Sequence, residues 1–394
     1  MSEEFEFYLV VAPGFEDVLI TELKSWLPGV KIKESAKNEP GGVTIETSLA
    51  SGVELNAVLK TPTRILLRLD EFACRDVQKL FRKISSFDWQ DWLGADLAVE
   101  FQVSSQGSRL RMKKKIEEAC NEAYAAHLKK RKRTPAVKPD PDITIFIRIK
   151  DDVCTVSLDT SGNLLHKRGV KPLVSNAPLR ENLAAALLLA LEKVAPDFAG
   201  DVELLDPMTG AGTFLLEAAS LRKPVTTRKF AFESMKPWRT EKKERAKLRA
   251  HSQSNFVSLV GFDSDSKTLA AAKANLKELG TKAVVELHSE DFMKAMPLEP
   301  CSVGRQRWLI VNPPYGERIQ VKGKLADFYS NLVQTANRVA NPDRACFLFP
   351  TKVPFEKIKW PSEWQILGRR KFRNGGLEVE AFFVGKMNHW TLGR

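Results

Sequence analysis

The sequence predicts an α/β, Rossmann-like domain in its C-terminal part, preceded by two smaller α+β units. Three observations carry that expectation. From Val202 onward, short apolar strands alternate with helical stretches, the order of a parallel sheet. The first of those strands ends at Asp206 and turns through Pro207-Met-Thr-Gly-Ala-Gly-Thr213 into a helix, so a glycine turn meets a helix N-terminus. Before residue 163 the elements are shorter, and their order begins β-α-β-α-β.

The chain's 394 residues suffice for two or three domains, and 43% hydrophobic with 28% charged residues is ordinary for a globular protein. Lys and Arg number 61 against 49 Asp and Glu, a formal charge of +12 that favours a polyanionic partner. Nucleic acid is preferred to a membrane surface, because the longest apolar run, Leu183 to Ala195, is short and carries Glu192 and Lys193. The opening Met-Ser-Glu-Glu-Phe-Glu is acidic and lacks the order of a signal peptide, so a cytoplasmic location is expected. Cysteines 74, 120, 154, 301 and 346 show no Cys-x-x-Cys spacing. Small buried hydrophobes are expected there, with no zinc or other metal site.

In chain order, Phe5 to Ala12 alternates and then runs apolar, a strand that Pro13-Gly14 ends before a helix from Phe15 to about Trp26. Strand 43–47, helix 49–59 and strand 64–69 complete the first unit. The second runs through helix 77–84, strand 98–103, helix 113–130 and strands 142–149 and 153–158. Arg109, Arg111, Lys113, Lys114 and Lys115 crowd the start of its long helix, where the helix dipole prefers anions, so helix stability does not explain them. A phosphate site does. Lys129 to Arg133, at the other end, suit a helix C-terminus and are equally well read as a solvated face.

His166-Lys-Arg-Gly-Val-Lys-Pro172, which includes Lys167 and Arg168, is a basic connector, and Pro178-Leu-Arg-Glu-Asn-Leu opens a long Ala/Leu helix to about Val194. Strand 202–206 and helix 214–221 follow. Asp206 at the strand tip would repel pyrophosphate, so the turn suits a cofactor with a cationic or neutral head better than a dinucleotide. Strand 259–263 ends in Asp263, which is placed to take ribose hydroxyls, although it lies 53 residues beyond Gly210 where a dinucleotide site has roughly 20. The surplus, 223–256, reads as a basic, helical insertion. Strand 284–287 ends near Asp291, which is placed to accept from an adenine amine. Helix 267–279 and helix 324–339 separate the strands, strand 345–349 follows, Arg369 to Gly376 reads as a basic turn, and 378–384 closes a hairpin.

Arg307-Trp-Leu-Ile-Val311 is a buried strand that delivers Asn312-Pro313-Pro314-Tyr315 to the rim of the sheet. Two prolines remove two N–H donors and leave carbonyls free to face a pocket. A neutral amide, carbonyl acceptors and an aromatic ring together suit a planar aromatic amine: Asn312 and a proline carbonyl accept its N–H groups, and Tyr315 stacks on the ring. The same tetrapeptide is also ordinary strand-terminating turn chemistry.

Asp206-Pro-Met-Thr-Gly-Ala-Gly-Thr213 with Asn312-Pro-Pro-Tyr-Gly-Glu-Arg318 resembles the S-adenosylmethionine-dependent amino-methyltransferases. His166-Lys-Arg-Gly and Pro178-Leu-Arg-Glu-Asn-Leu-Ala sharpen the resemblance to THUMP-domain RNA guanine-N2 methyltransferases, closest to those acting on bacterial 23S ribosomal RNA. It covers nearly the whole chain and is specific in the catalytic half. It implies a class I methyltransferase domain at 163–394, after a ferredoxin-like segment at 1–70 and a THUMP RNA-binding domain at 71–162. It also implies S-adenosylmethionine contacts from Asp206, Thr209, Gly210, Gly212, Thr213, Asp263, Asp291 and Asn312, and a catalytic set of Asn312, Pro313, Pro314 and Tyr315. Glu317 and Arg318 either read the guanine edge or a phosphate, or face solvent. Where the family more often has Phe-Cys-Gly-Ser-Gly, this chain has Met208-Thr-Gly-Ala-Gly212, which keeps both glycines. RNA, bound also through Lys167 and Arg168, is the expected partner of a monomer. The competing readings are a tRNA guanine-N2 or DNA adenine-N6 methyltransferase and a non-catalytic RNA-binding assembly protein. A dinucleotide-dependent oxidoreductase is disfavoured by the missing third glycine.

Overall fold

The structure, a computed structural model, describes residues 3–33, 40–168, 179–195, 198–240, 254–316 and 325–386. Expectations for connector residues 169–178, for part of the insertion (241–253) and for Glu317 and Arg318 lie outside the described residues. The chain forms two compact units, one from residues 1–11, 26–167 and 228–249, the other from 12–25, 168–227 and 250–394.

The first stretch of chain runs β1 (Glu4–Val10), α1 (Glu16–Trp26), β2 (Lys31–Ile32), β3 (Gly42–Ser48), α2 (Leu49–Val58), β4 (Arg64–Ala73), α3 (Val77–Ser86), β5 (Val99–Gln106), α4 (Lys113–Lys130), β6 (Ile143–Lys150) and β7 (Val153–Asp159). Its seven strands make one sheet in the order β2-β3-β1-β4-β7-β6-β5. Alternation decides the face: Ile143, Ile145, Ile147 and Ile149 of β6 are buried, with partly exposed residues between them. The expected boundary between residues 70 and 71 falls inside β4, which pairs antiparallel with β1 through Arg64–Leu67 and with β7 through Leu66–Ala73. A ten-residue strand bonded on both edges leaves no break there.

The second unit contains α5 (Glu181–Lys193), β8 (Val202–Asp206), α6 (Thr213–Ser220), β9 (Phe256–Phe262), α8 (Ser266–Leu279), β10 (Val284–His288), β11 (Gln306–Val311), α9 (Leu325–Ala340), β12 (Arg344–Pro350), β13 (Trp364–Asn374) and β14 (Leu377–Lys386). The short helix α7 (Lys236–Thr240) belongs to the first unit. Strand order is β10-β9-β8-β11-β12-β14-β13, with β10 to β12 parallel and β14 antiparallel to β12. The order reverses between β8 and β11, so the tips of these neighbouring strands face one crevice, where open α/β sheets place ligands. Buried Arg307 joins the two strands, donating from Nε to Glu203 at 2.6 Å. Beneath the rim lie Leu205, Leu309, Val311, Tyr329, Phe347 and Phe349. Helix α1 belongs to this unit, through Asp17 to both guanidinium nitrogens of Arg370 at 2.7 Å and Phe15 edge-on to Phe372 at 5.5 Å.

Two elements depart from expectation. Arg369–Arg373 is not a turn but part of β13, paired residue by residue with β14 from Arg369↔Phe382 to Asn374↔Leu377. The turn is Gly375-Gly376 alone, with φ of +58° and +93°, a pair of left-handed residues that matches strand twist. Strand β9 begins at Phe256, three residues earlier than the apolar pattern suggests, because Val202 and Phe256 pair in the ladder with β8.

Candidate active site

The loop after β8 is built around a buried carboxylate. Asp206 is 2% exposed, and its Oδ1 accepts the Met208 N–H at 3.1 Å. Burial pushes its carboxyl up to about 8; the Met208 hydrogen bond opposes this and the nearby Asp263 carboxylate adds to it. Gly210 and Gly212 have φ of +55° and +87°. At Gly212 a Cβ would also sit 3.1 Å from the Ala272 Cβ, so α6 starts in close contact with α8 and keeps its first N–H groups at the crevice.

Asp263 makes contacts within the protein that the sequence did not reveal. Its Oδ2 accepts the Gly210 N–H at 2.8 Å and its Oδ1 the Asp265 N–H at 2.9 Å. The carboxylate therefore ties the tip of β9 to the glycine loop, and each oxygen keeps lone-pair capacity for a hydroxyl donor. Asp291 accepts from Met293 N at 3.0 Å and is half-exposed beside Lys294. Ring stacking of His288 on Phe262, with centroids 4.5 Å apart, supports the segment before it.

Thr209 departs from its expected role. Its hydroxyl donates to the Asp206 carbonyl at 2.9 Å, and a Cβ on Gly261 would lie 2.5 Å from that oxygen, so the side chain is turned into the loop's base. Thr213, nearly buried, is the first residue of α6.

In register, Trp308↔Leu204 and Leu309↔Leu205 set Ile310 beside Asp206, which puts Asn312 two residues past that level on the neighbouring strand. Asn312 and Tyr315 are half-buried and hydrogen bonded, the phenol donating to the Asn312 Oδ1. Burial pushes the Tyr315 hydroxyl up to about 12, which keeps it protonated and donating. The Pro314 carbonyl is taken by the Tyr329 hydroxyl at 3.0 Å. Tyr329 was missed in the sequence. It is a fully buried residue on the apolar face of α9, and nothing in helical spacing marks its hydroxyl as a fastener for the loop.

Among the expected RNA-binding residues, Arg109, Arg111, Lys113, Lys114 and Lys115 are exposed around the start of α4. Its N-cap, Met112, makes no side-chain hydrogen bond and the first turn holds no acid, so nothing on the helix itself answers the dipole. Arg109 lies 4.0 Å from Asp152. Arg131 and Arg133, with Gln90 and Lys236, line a cavity of about 530 Å³ elsewhere in the same unit. Lys167 is exposed, but Arg168 is a correction: it is 8% exposed and paired with buried Glu217 of α6 at 3.3 Å, holding a strut rather than presenting a charge. Among the described residues no helix is long and apolar enough to cross a membrane, and no His, Cys, Asp or Glu cluster could hold a metal ion.

A parallel sheet reversing at β8/β11, a glycine loop under a buried acid and an Asn-Pro-Pro-Tyr rim define the class of S-adenosylmethionine-dependent methyltransferases. The chain belongs to the family described as RMKL-like, methyltransferase domain, which matches residues 168–379, and it carries a THUMP domain at 74–159. It is 30% identical over 349 residues to "Ribosomal RNA large subunit methyltransferase K/L" of Pseudomonas putida (strain GB-1), covering 84% of this chain and 46% of that protein. The chain thus spans about half the length of the curated relatives it matches. In fold it is similar to a possible methylase from Clostridium difficile 630, with a TM-score of 0.78, 24% identity and coverage of 98% and 99% of the two chains. It is also similar to SMU.472, a putative methyltransferase complexed with SAH, with a TM-score of 0.75, 25% identity and coverage of 98% and 100%.

Proposed function

We propose that this chain methylates the exocyclic N2 amine of a guanine in RNA, in large-subunit ribosomal RNA, with S-adenosylmethionine as donor. The observation that carries this reading is the pairing of two neighbouring strand tips: Asp206 with its glycine loop on one, and the neutral acceptors Asn312 and Pro313 on the other. The name borne by the relatives supports the RNA, and the THUMP domain with the lysine-rimmed start of α4 supports binding through phosphates.

The residues fit the cofactor. A carboxylate as buried as Asp206, with one backbone donor and an acid for a neighbour, asks for a cation, and the methionine head of the cofactor carries one. Gly210, Gly212 and the first turn of α6 leave room and N–H groups for the rest of that head, while Asp263 would take the ribose and Asp291 the adenine. When bound, the cofactor supplies an electrophilic methyl group.

The chain's own residues do the rest. An exocyclic amine is a poor nucleophile because its lone pair is delocalised into the ring. Accepting both its N–H groups, at Asn312 Oδ1 and the Pro313 carbonyl, localises that pair and aims it. The target base must leave its stack to reach the rim, and Tyr315 offers the face to receive it. No strong base is required, since the amine's surplus proton leaves after transfer. Pro313 and Pro314 have no backbone N–H to donate, so these two positions of the rim offer carbonyls alone.

The deciding experiment is mass spectrometry of nucleosides from ribosomal RNA of a strain lacking the gene. Loss of N2-methylguanosine from one large-subunit position, restored by this protein and not by its Asn312→Ala variant, is the expected result. An unchanged ribosomal RNA with loss of N2-methylguanosine from tRNA, or of N6-methyladenine from DNA, would redirect the reading to those substrates.

A further inference from the structure

We propose that Tyr329 of α9 is a positioning residue for methyl transfer: with Leu325, four residues before it, it fixes the rim on either side of Tyr315 and so aims that ring at the incoming base. The proposal rests on the reading that the Asn-Pro-Pro-Tyr rim receives a base.

The direction of Tyr315 is not settled by its own stretch of chain. The proline rings fix φ at Pro313 and Pro314, but they leave the torsions of Tyr315 itself unset. Strand pairing does not hold it either, since the ladders of β11 with β8 and β12 end at Leu309 and Val311. The phenol donates to Asn312 Oδ1, which tethers only the far end of the ring. A stacking face serves transfer only when its plane is set, because small displacements of a reacting group are costly in rate.

Helix α9 supplies the missing constraint. The Tyr329 hydroxyl donates to the Pro314 carbonyl at 3.0 Å. That carbonyl and the Tyr315 N–H belong to one planar peptide unit, so a bond to the oxygen fixes the plane from which the Tyr315 residue hangs. On the other side, Gly316 has a φ of +82°, and a Cβ built there would lie 3.4 Å from Leu325 Cδ1, so the leucine rests against the backbone. Leu325 and Tyr329 stand at i and i+4, on one face of α9, and that face therefore holds both neighbours of Tyr315. Tyr329 is itself immobilised: it is fully buried, and its ring stacks on Phe349 of β12 with centroids 4.4 Å apart. Burial raises its hydroxyl above the ordinary phenol value and nearby Tyr315 adds to this, so the group stays protonated and donates. Packing alone would accept phenylalanine at this place. Among the described residues, the hydroxyl's hydrogen bond goes to the rim.

The test is Tyr329→Phe in the full chain, which deletes the fastening oxygen and keeps the ring. Single-turnover methyl transfer from labelled S-adenosylmethionine to saturating, unmethylated large-subunit ribosomal RNA should slow roughly tenfold. Affinity for S-adenosylhomocysteine should stay within about twofold, and the melting temperature should fall by no more than about 4 °C. Amide hydrogen exchange should quicken at Tyr315 and Gly316 and stay unchanged in β11. In a Tyr315→Ala background there is no ring to aim, so adding Tyr329→Phe should cost at most about twofold more. A Tyr329→Phe rate equal to wild type overturns the proposal, as does unchanged exchange at Tyr315 and Gly316. So does an equal loss in the Tyr315→Ala background, or a loss that comes with weakened S-adenosylhomocysteine binding and faster exchange throughout the sheet. If the wild-type protein transfers no methyl group to this RNA, the functional reading falls and takes the proposal with it. An active wild type with an indifferent Tyr329 sinks the proposal alone.

Discussion

Asn312 does its proposed work in the transition state, and its substitution separates that role from a structural one. Asn312→Ala should lower single-turnover transfer by roughly 10²–10³-fold with cofactor and RNA affinity nearly unchanged. Tyr315→Ala should also weaken retention of the flipped base, by about 1–3 kcal/mol of forfeited stacking, whereas Tyr315→Phe should be mild. A full rate in folded Asn312→Ala would leave the tetrapeptide as a strand-terminating turn. Asp206 gives a pH signature. Its folded value of about 8 stands well above the ordinary carboxyl value, so the unliganded protein holds a proton there that the unfolded chain releases. That contribution to stability is present at low pH and lost as pH rises through about 8. An ammonium group prefers the ionised acid, so affinity for S-adenosylhomocysteine, whose amino-acid head carries one, should climb by up to about tenfold per pH unit from pH 6 and level off near 8. Calorimetry across that range checks it, and Asp206→Asn should flatten the curve. What was legible at this scale was the residue at each strand tip: Asp206, Asp263, Asp291 and Asn312 lie at strand ends or within three residues of them. What was not legible was a side chain's direction. Thr209 faces Gly261, and Arg168 faces Glu217 across 49 positions of sequence, and neither partnership leaves a local trace.

At the scale of elements, periodicity found nearly all the helices and strands, because apolar faces with period 2 or 3.6 are local information. The helix 113–130 is matched to the residue. The basic run 369–373 misled, since cationic residues beside Asn-Gly-Gly resemble a loop, while their strand partners on β14 supply the missing context. The uncapped start of α4 leads to a prediction of its own. Substituting Lys113, Lys114 and Lys115 together should weaken RNA binding and flatten its salt dependence, by about 0.7–0.9 in log–log slope for each phosphate no longer neutralised. A fluorescence titration at several salt concentrations measures this, and an unchanged slope would mean that the three lysines face only water. Melting temperature should hardly move, because all three side chains are exposed.

For the whole molecule, domain order was legible and domain composition was not. Each compact unit borrows a segment from the other's stretch of sequence: residues 12–25 go with the later part of the chain, and 228–249 with the earlier. A protein begun at residue 163 therefore lacks α1, and Arg370 and Phe372 are deprived of Asp17 and Phe15. Such a fragment should melt below the full chain's second transition or aggregate, as differential scanning calorimetry would show. Equal melting would make α1 dispensable. The borrowed helix also sets a timetable. Phe15, Leu19 and Leu23 are fully buried in the finished protein, yet Arg370 is translated 353 residues after Asp17. At about 5–20 residues per second, that apolar face waits roughly 20–70 s for its hairpin. Through most of its own synthesis, then, the nascent chain carries a sticky helix with nowhere to dock, and its yield in the cell should depend on holdase chaperones more than its final stability would suggest.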